Sequence, residues 1–183
     1  MLRLFDFVLS AIALTFSLPL LLLIYLFALA DTGSPLFFQV RVGRCQVPFT
    51  LIKFRTMLPD TLSIATHLVD PTSVTKFGSF LRRTKLDELP QLWNVLKGDM
   101  SLVGPRPCLV TQEELVFERA RLGVFSVRPG ITGLAQINEI DMSMPTLLAM
   151  TDAQMIGSLS SRSYFGYILA TILGRGRGDR LRK

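Results

Sequence analysis

Arg82-Arg-Thr-Lys-Leu-Asp-Glu-Leu-Pro-Gln-Leu-Trp-Asn-Val-Leu-Lys-Gly98 is the densest stretch of the chain in residues with a chemical use. Pro90 suits the first turn of a helix and Gly98 the position just past its end, so the spacing predicts a helix over 89–97. Asp87 and Glu88 then sit at its N-terminus, where the helix dipole and unpaired amides favour negative charge. A carboxylate held ionised there can act as a nucleophile or a metal ligand. Acids in this position also serve simply as helix caps.

The neighbours on either side favour the chemical reading. Arg82, Arg83 and Lys85 lie within five residues of the acids, and Gly104-Pro-Arg-Pro107 and Arg128-Pro-Gly130 follow. Arg106 and Arg128 each precede a proline, which drives the arginine out of the helical region into a fixed extended turn. Rigid, separately anchored arginines suit bidentate phosphate binding. Two acids able to hold Mg²⁺, together with several fixed cations, make up the parts needed for phosphoryl transfer. Structural salt bridges are the competing reading of the same residues.

Further out, Pro35-Leu-Phe-Phe-Gln-Val-Arg-Val-Gly43 and Pro48-Phe-Thr-Leu-Ile-Lys-Phe-Arg-Thr56 are rich in β-branched and aromatic residues, and a short link containing Arg44 joins them. This predicts a β-hairpin. Residues 57–75 have turn residues and no period, so they are expected as a loop carrying an exposed His67. Helical patterns cover about 76–83, 89–97, 111–122, 143–157 and 160–173. The mixture is α/β or α+β and heavily helical. We class it as α/β, a small compact helix-rich domain with a β-hairpin.

The two ends point to a membrane. Phe7–Ala30 is a run of 24 residues without a charge, bounded by Asp6 and Asp31. As one helix it would measure about 36 Å, enough for a hydrocarbon core of about 30 Å. It is longer than the apolar core of a signal peptide and lacks a small-residue cleavage site, so it is expected to be retained. Pro19 divides it into halves of about 17 Å, and Ser17 offers a hydroxyl to backbone groups that proline frees. The segment either spans with a kink or dips in and returns to the same face. At the other end, Gly174–Lys183 carries five cations against one anion. Before it, Tyr164, Phe165, Ile168, Leu169, Ile172 and Leu173 form an amphipathic helical pattern, which reads as an element of the anionic cytoplasmic membrane surface. A basic tail also suits nucleic acid, but this one has no interleaved aromatics, and no nucleic-acid partner is expected.

The 183 residues are 49% hydrophobic with a net charge of +6, too apolar for disorder. Cys45 and Cys108 cannot make a disulfide framework, and a single histidine argues against a zinc centre. No G-x-x-x-x-G-K-[ST] phosphate loop and no G-x-S-x-G elbow occurs. The Gly174-x-Gly-x-Gly178 run lies in the basic tail rather than after a strand, so it is no dinucleotide fingerprint. The chemistry falls to carboxylates, arginines and lysines.

Lys53-Phe-Arg-Thr-Met57, Leu86–Pro107 with its Asp-Glu-Leu-Pro-Gln-Leu-Trp-Asn core, and Val127-Arg-Pro-Gly-Ile-Thr-Gly-Leu-Ala-Gln136 resemble the bacterial sugar transferase family. Its members are monotopic polyprenyl-phosphate phosphoglycosyl transferases, the initiating enzymes of glycoconjugate assembly. The resemblance implies that Asp87 attacks the phosphorus next to the sugar of a UDP-sugar, of N-acetylated hexosamine type, and that UMP leaves. Undecaprenyl phosphate then takes the phosphosugar, in the first membrane step of polysaccharide, O-antigen or glycoprotein glycan synthesis. It implies Glu88 with Asp87 as Mg²⁺ ligands, and Arg82, Arg106, Arg128 and Lys53 as phosphate or nucleotide contacts. It also implies a re-entrant N-terminal helix over 1–31 broken near Ser17 and Pro19, a catalytic domain over 32–173 with membrane-interfacial amphipathic helices, and a basic tail over 174–183. Trp93 and the 160–173 helix are expected in the interface. The expected place is the cytoplasmic face of the bacterial inner membrane, among its lipids.

The chain departs from the family pattern in two places. Asn138-Glu-Ile140 stands where relatives read Asn-Gly-Arg. Tyr164 stands where they carry an aspartate, for which Asp141 or Asp152 are the candidate replacements. Two other activities fit the same residues: a homologue that binds nucleotide sugar or lipid without turnover, and a hydrolase that passes the phosphosugar to water.

Overall fold

Helix α1 (Leu2–Thr32) takes in the whole uncharged run and the acids on either side of it. In this computed structural model, which describes residues 2–61 and 70–176, α1 continues through Pro19 without interruption. The break expected near Ser17 and Pro19 is not seen. The Ser17 hydroxyl donates to Leu14 O at 3.1 Å. A proline at 19 deprives Thr15 O of its helical partner, so Ser17 serves a different carbonyl from the one expected. His67 and the basic residues from Arg177 onward lie outside the described residues.

One stripe of α1 faces the rest of the protein. Asp6, Ser10, Ile24 and Ala28 are buried and Leu14, Ser17 and Leu21 half-buried, at the three- and four-residue spacing of a single helix face. Phe7, Phe16, Leu22 and Leu26 on the other faces are exposed. Both ends are tied down. Arg3 donates to Val95 O at 2.6 Å and to Met100 O at 3.2 Å. Asp6 accepts from Leu102 N–H at 2.8 Å, from the Ser101 hydroxyl at 2.9 Å and from the Tyr164 hydroxyl at 2.7 Å. At the far end Ile24 packs with Phe54 and Leu81, and Thr75 Oγ1 donates to Asp31 at 2.6 Å.

The hairpin forms as expected. Strands β1 (Leu36–Val42) and β2 (Pro48–Phe54) pair antiparallel, from Leu36 opposite Phe54 to Val42 opposite Pro48. A tight turn over Arg44–Gln46 joins them, with Cys45 and Gln46 both at positive φ. Helix α2 (Lys76–Thr84) is capped by the Thr75 hydroxyl on Gly78 N–H and packs on β2. A Cβ at Gly78 would lie 2.1 Å from Thr56 O, so only glycine lets α2 approach this closely.

Between α2 and α3 (Gln91–Lys97) the acids occupy a separate 3-10 turn, Leu86–Glu88, rather than the first turn of the predicted helix. Gly98 ends α3 at φ +96° with its N–H on Asn94 O and Val95 O, as its position predicts. The fully buried Asn94 joins α3 to β2: its side chain accepts from Ile52 N–H at 3.1 Å and donates to Thr50 O at 2.7 Å.

Two short strands escaped the sequence reading. Strands β3 (Ser101–Val103) and β4 (Gly130–Thr132) pair in parallel, linked by a crossover containing α4 (Glu113–Arg121). Three residues are too few to show a period. The short α5 (Leu134–Ile137) follows, then α6 (Pro145–Ser158) and α7 (Ser161–Ile172), whose first turn carries a Ser160–Ser163 capping box. Among the described residues the architecture is thus helix-rich with two small sheets and one long apolar N-terminal helix.

Replacing Asn94 with Leu removes two part-buried hydrogen bonds, from Ile52 N–H and to Thr50 O, each worth about 0.5–1.5 kcal/mol. Urea unfolding of Asn94→Leu should therefore show a loss of roughly 1–3 kcal/mol. An unchanged midpoint would remove Asn94 as the tie between α3 and the hairpin.

Candidate active site

Lys85 sets up the dyad. It ends α2 in the left-handed conformation, φ 58° and ψ 15°, a position glycine usually fills. The reversal turns the chain into the Leu86–Glu88 turn and leaves Asp87 only 7% exposed. The Lys85 ammonium donates to Arg175 O at 3.1 Å, so the segment after α7 is fastened to the approach to the dyad. Burial pulls the Lys85 ammonium below the ordinary lysine value.

Asp87 is a carboxyl under strain from its surroundings. Burial first, and the Glu88 charge second, push it up from 3.8 to about 6, while Lys53, Arg82 and Arg106 pull the other way. Those three cations come from β2, α2 and the turn after β3, and they converge on one buried acid. Arg106 Nη2 holds Glu88 Oε1 at 2.7 Å. Arg82 Nε donates to the Thr56 hydroxyl at 2.9 Å, an arrangement the close packing at Gly78 permits. Thr56 was not singled out by sequence, although it lies in the Lys53–Met57 motif.

Not every expected contact gathers here. Arg128 Nε donates to Gly98 O at 2.7 Å, which places it at the C-terminal end of α3, the end away from the dyad. Neither candidate replacement acid serves the dyad. Asp141 accepts from the backbone N–H and hydroxyl of Ser143 in its own turn. Asp152 is 1% exposed and pairs with the equally buried Arg119 at 2.6 Å. Tyr164 is fully buried and spends its hydroxyl on Asp6, so this position is structural. Arg119 and Arg41, which hold the Arg106 turn through its carbonyls, were missed. On an amphipathic helix and a strand such arginines read as solvated charges, and spacing alone gives no other signal.

The dyad suits a hard divalent cation. Two adjacent carboxylates whose repulsion raises one of them would be relieved by a positive charge, and Arg106 engages only one oxygen of Glu88. Among the described residues no group of three or more His, Cys, Asp or Glu could hold a metal. The pair therefore fits an ion shared with substrate phosphates, the usual mode for Mg²⁺, and not a closed protein cage.

Comparison with known proteins is consistent with this arrangement. The chain is 46% identical over 137 residues to an uncharacterized sugar transferase, EpsL, of Bacillus subtilis, covering 74% of this chain and 67% of that one. It is 42% identical over 142 residues to a UDP-glucose:undecaprenyl-phosphate glucose-1-phosphate transferase of Caulobacter vibrioides, covering 74% and 52%. It is 36% identical over 159 residues to the undecaprenyl-phosphate galactose phosphotransferase of Salmonella typhimurium, covering 76% and 33%. The chain thus spans two thirds of the Bacillus relative, about half of the Caulobacter one and a third of the Salmonella one. The family model described as bacterial sugar transferase matches residues 1–175, nearly the whole chain, and the protein belongs to that family.

Proposed function

We propose that this protein is a phosphoglycosyl transferase that moves a sugar 1-phosphate from a UDP-sugar to undecaprenyl phosphate through a covalent intermediate on Asp87. One observation carries the reading: a single buried carboxylate, Asp87, faces Lys53, Arg82 and Arg106 beside a second acid held by one of them. Such a site attracts a diphosphate and keeps a nucleophile among its negative oxygens. The names of the Caulobacter and Salmonella relatives, glucose and galactose transferases to undecaprenyl phosphate, support the reaction class.

In the first step an Asp87 oxygen attacks the phosphorus bonded to the sugar. The bond from that phosphorus to the bridging oxygen breaks, and UMP leaves with the electron pair. In the second step an oxygen of the lipid phosphate attacks the same phosphorus, and the Asp87 carboxylate leaves unchanged. Splitting the transfer lets two bulky substrates use one site in turn. Lys53, Arg82 and Arg106 offset the repulsion between the anionic nucleophile and the anionic donor. Mg²⁺ held by Asp87 and Glu88 would add charge neutralisation on the diphosphate. A hydrolase would give the same first step with water in the second, and a binding protein would release no UMP. Neither is favoured by the relatives' names.

We read residues 1–31 as a membrane-embedded helix, 32–173 as the catalytic domain and 174–183 as a basic tail, with the domain on the cytoplasmic face of the inner membrane. Both ends of α1 are tied to one domain, by Asp6 and Arg3 at the start and by Ile24 and Asp31 at the end, which favours a helix that stays on the domain's side of the membrane over one that crosses. The exposed Trp93, Leu169, Ile172 and Leu173 suit contact with lipid.

The decisive assay is a panel of UDP-hexoses and N-acetylated UDP-hexosamines with undecaprenyl phosphate and Mg²⁺, scored by UMP release. Asp87→Asn should lower turnover by about a thousandfold or more. Donor alone should leave a phosphosugar mass on the Asp87 peptide of the parent, and an adduct elsewhere would sink the assignment.

The raised Asp87 value sets two signs. Only the ionised carboxylate attacks, so adduct formation with Mg²⁺ present should fall as acid protonates Asp87, at or below pH about 6. The native state also disfavours the ionised carboxylate, so stability is lost as pH rises from about 4 to about 6. Asp87→Asn should consequently be more stable than the parent at pH 8, on the order of 2 kcal/mol, with the difference gone below pH about 4. A less stable variant at pH 8 would contradict this.

Excess chelator should abolish UMP release, with Mg²⁺ restoring it; undiminished activity in chelator would remove the metal from the reaction. For the helix, Leu2→Cys should resist an impermeant thiol reagent in intact cells and react after lysis. Reaction in intact cells would mean that α1 crosses the bilayer.

A further inference from the structure

Three consecutive carbonyls of the Gly104–Pro107 turn are each taken by a donor from a different part of the chain. Gly130 N–H donates to Pro105 O at 2.8 Å, Arg119 Nη1 to Arg106 O at 2.7 Å, and Arg41 Nη1 to Pro107 O at 2.9 Å. Pro105 and Pro107 fix their own φ angles and have no N–H to give. The turn is therefore held from outside, through its carbonyls, and Arg106 projects from the middle of it onto Glu88 at 2.7 Å.

The deepest of these donors is Arg119. It is 1% exposed, as is Asp152, and its Nε and Nη2 both donate to Asp152 Oδ2, at 3.0 and 2.6 Å. With Nη1 on Arg106 O, each of its three nitrogens has a partner, and none of those partners belongs to the dyad. Burying two charges is costly, and well-packed apolar side chains of similar volume often stabilise a core as well or better. Stability is thus a poor reason for an ion pair here, whereas the carbonyl it grips belongs to the residue that holds Glu88.

We infer that Arg119, braced by Asp152, is a positioning residue for the transfer reaction: it fixes the Arg106 backbone and thereby sets the Arg106 guanidinium on Glu88 beside Asp87. The role rests on the transferase reading above. Arg119 meets neither donor nor acceptor; it acts through Arg106.

The test replaces the pair by apolar side chains, Arg119→Met with Asp152→Leu, in the full chain in membranes or detergent. If the pair only fills the core, this variant folds and forms the phosphosugar adduct at the parent rate. If it positions Arg106, the variant keeps the parent's thermal midpoint or exceeds it, yet adduct formation slows by about a hundredfold, as a misplacement of about an ångström can cause. The loss should appear in kcat more than in KM. Arg106→Met should show a similar loss, and combining it with the pair replacement should add nothing further, because both act on the same contact. Parent-rate adduct formation in the folded pair variant, or losses that multiply in the combined variant, would overturn the role. Should the pair variant not fold, Arg119→Lys keeps the charge beside Asp152 but cannot span both partners. A slow adduct in that folded protein supports the role, and a parent rate overturns it. Absence of any adduct in the parent would sink the transferase reading itself, and this role with it, before any variant is compared.

Discussion

Gly104 and Gly130 pass so closely that a Cβ on Gly130 would lie 2.0 Å from Gly104 N, and one on Gly104 would lie 2.5 Å from Arg128 O. No side chain fits at that crossing, and the rest of the molecule is hung on it. The approach lets β3 and β4 pair in parallel although each has three residues. It lays the Pro-Arg-Pro turn against Arg128-Pro129, where Gly130 N–H can take Pro105 O. On its other side, β3 offers the Ser101 hydroxyl and the Leu102 N–H to Asp6, which anchors the first turns of α1. One backbone contact thus connects the apolar N-terminal helix to the arginine that holds Glu88.

The dyad shows what burying one acid beside another costs the fold. Asp87 is buried next to another acid, and three cations reduce the penalty without cancelling it, since the carboxyl still lies well above its ordinary value. A folded state that resists ionising a buried carboxyl is less stable than it need be at neutral pH. The cations come from three separate elements, so the field at Asp87 exists only in the assembled domain. Lys85 adds a further constraint, since its left-handed backbone and its tie to Arg175 O bring the end of α7 into the support of the Leu86–Glu88 turn.

The Asp6–Tyr164 contact answers a departure that the sequence left open. Tyr164, where the sequence departs from the family pattern, gives its hydroxyl to Asp6 of α1 and takes no part in the dyad. Burial, and the hydrogen bond to Asp6, hold the Tyr164 phenol above its ordinary range, so it remains a donor at any physiological pH. With Arg3 on the last carbonyls of α3, the start of the apolar helix is secured by polar contacts that a lipid environment could not supply. The other end is held by packing around Ile24, Phe54 and Leu81.

Much of this was legible in the order of residues because the physics involved is local. The hairpin follows from two β-rich runs and a short link, α3 ends at Gly98 because only a left-handed residue can close it there, and the uncharged run can form nothing but a long apolar helix. The dyad and its nearest arginines lie within a few residues of each other, so their grouping could be read directly. What local rules could not supply were relations across the chain. Asp87 and Glu88 turned out to lie in their own 3-10 turn because Lys85, not a cap residue of α3, sets the reversal. Arg128 looked equivalent to Arg106 by its proline neighbour, yet one closes α3 and the other grips Glu88. Asp152 and Arg119, 33 residues apart, carry no sign of each other in the sequence. Side-chain type and spacing determined which groups were available. Which of them meet was decided by the tertiary structure, because burial drives most charges and carbonyls to a partner wherever the packed chain puts one.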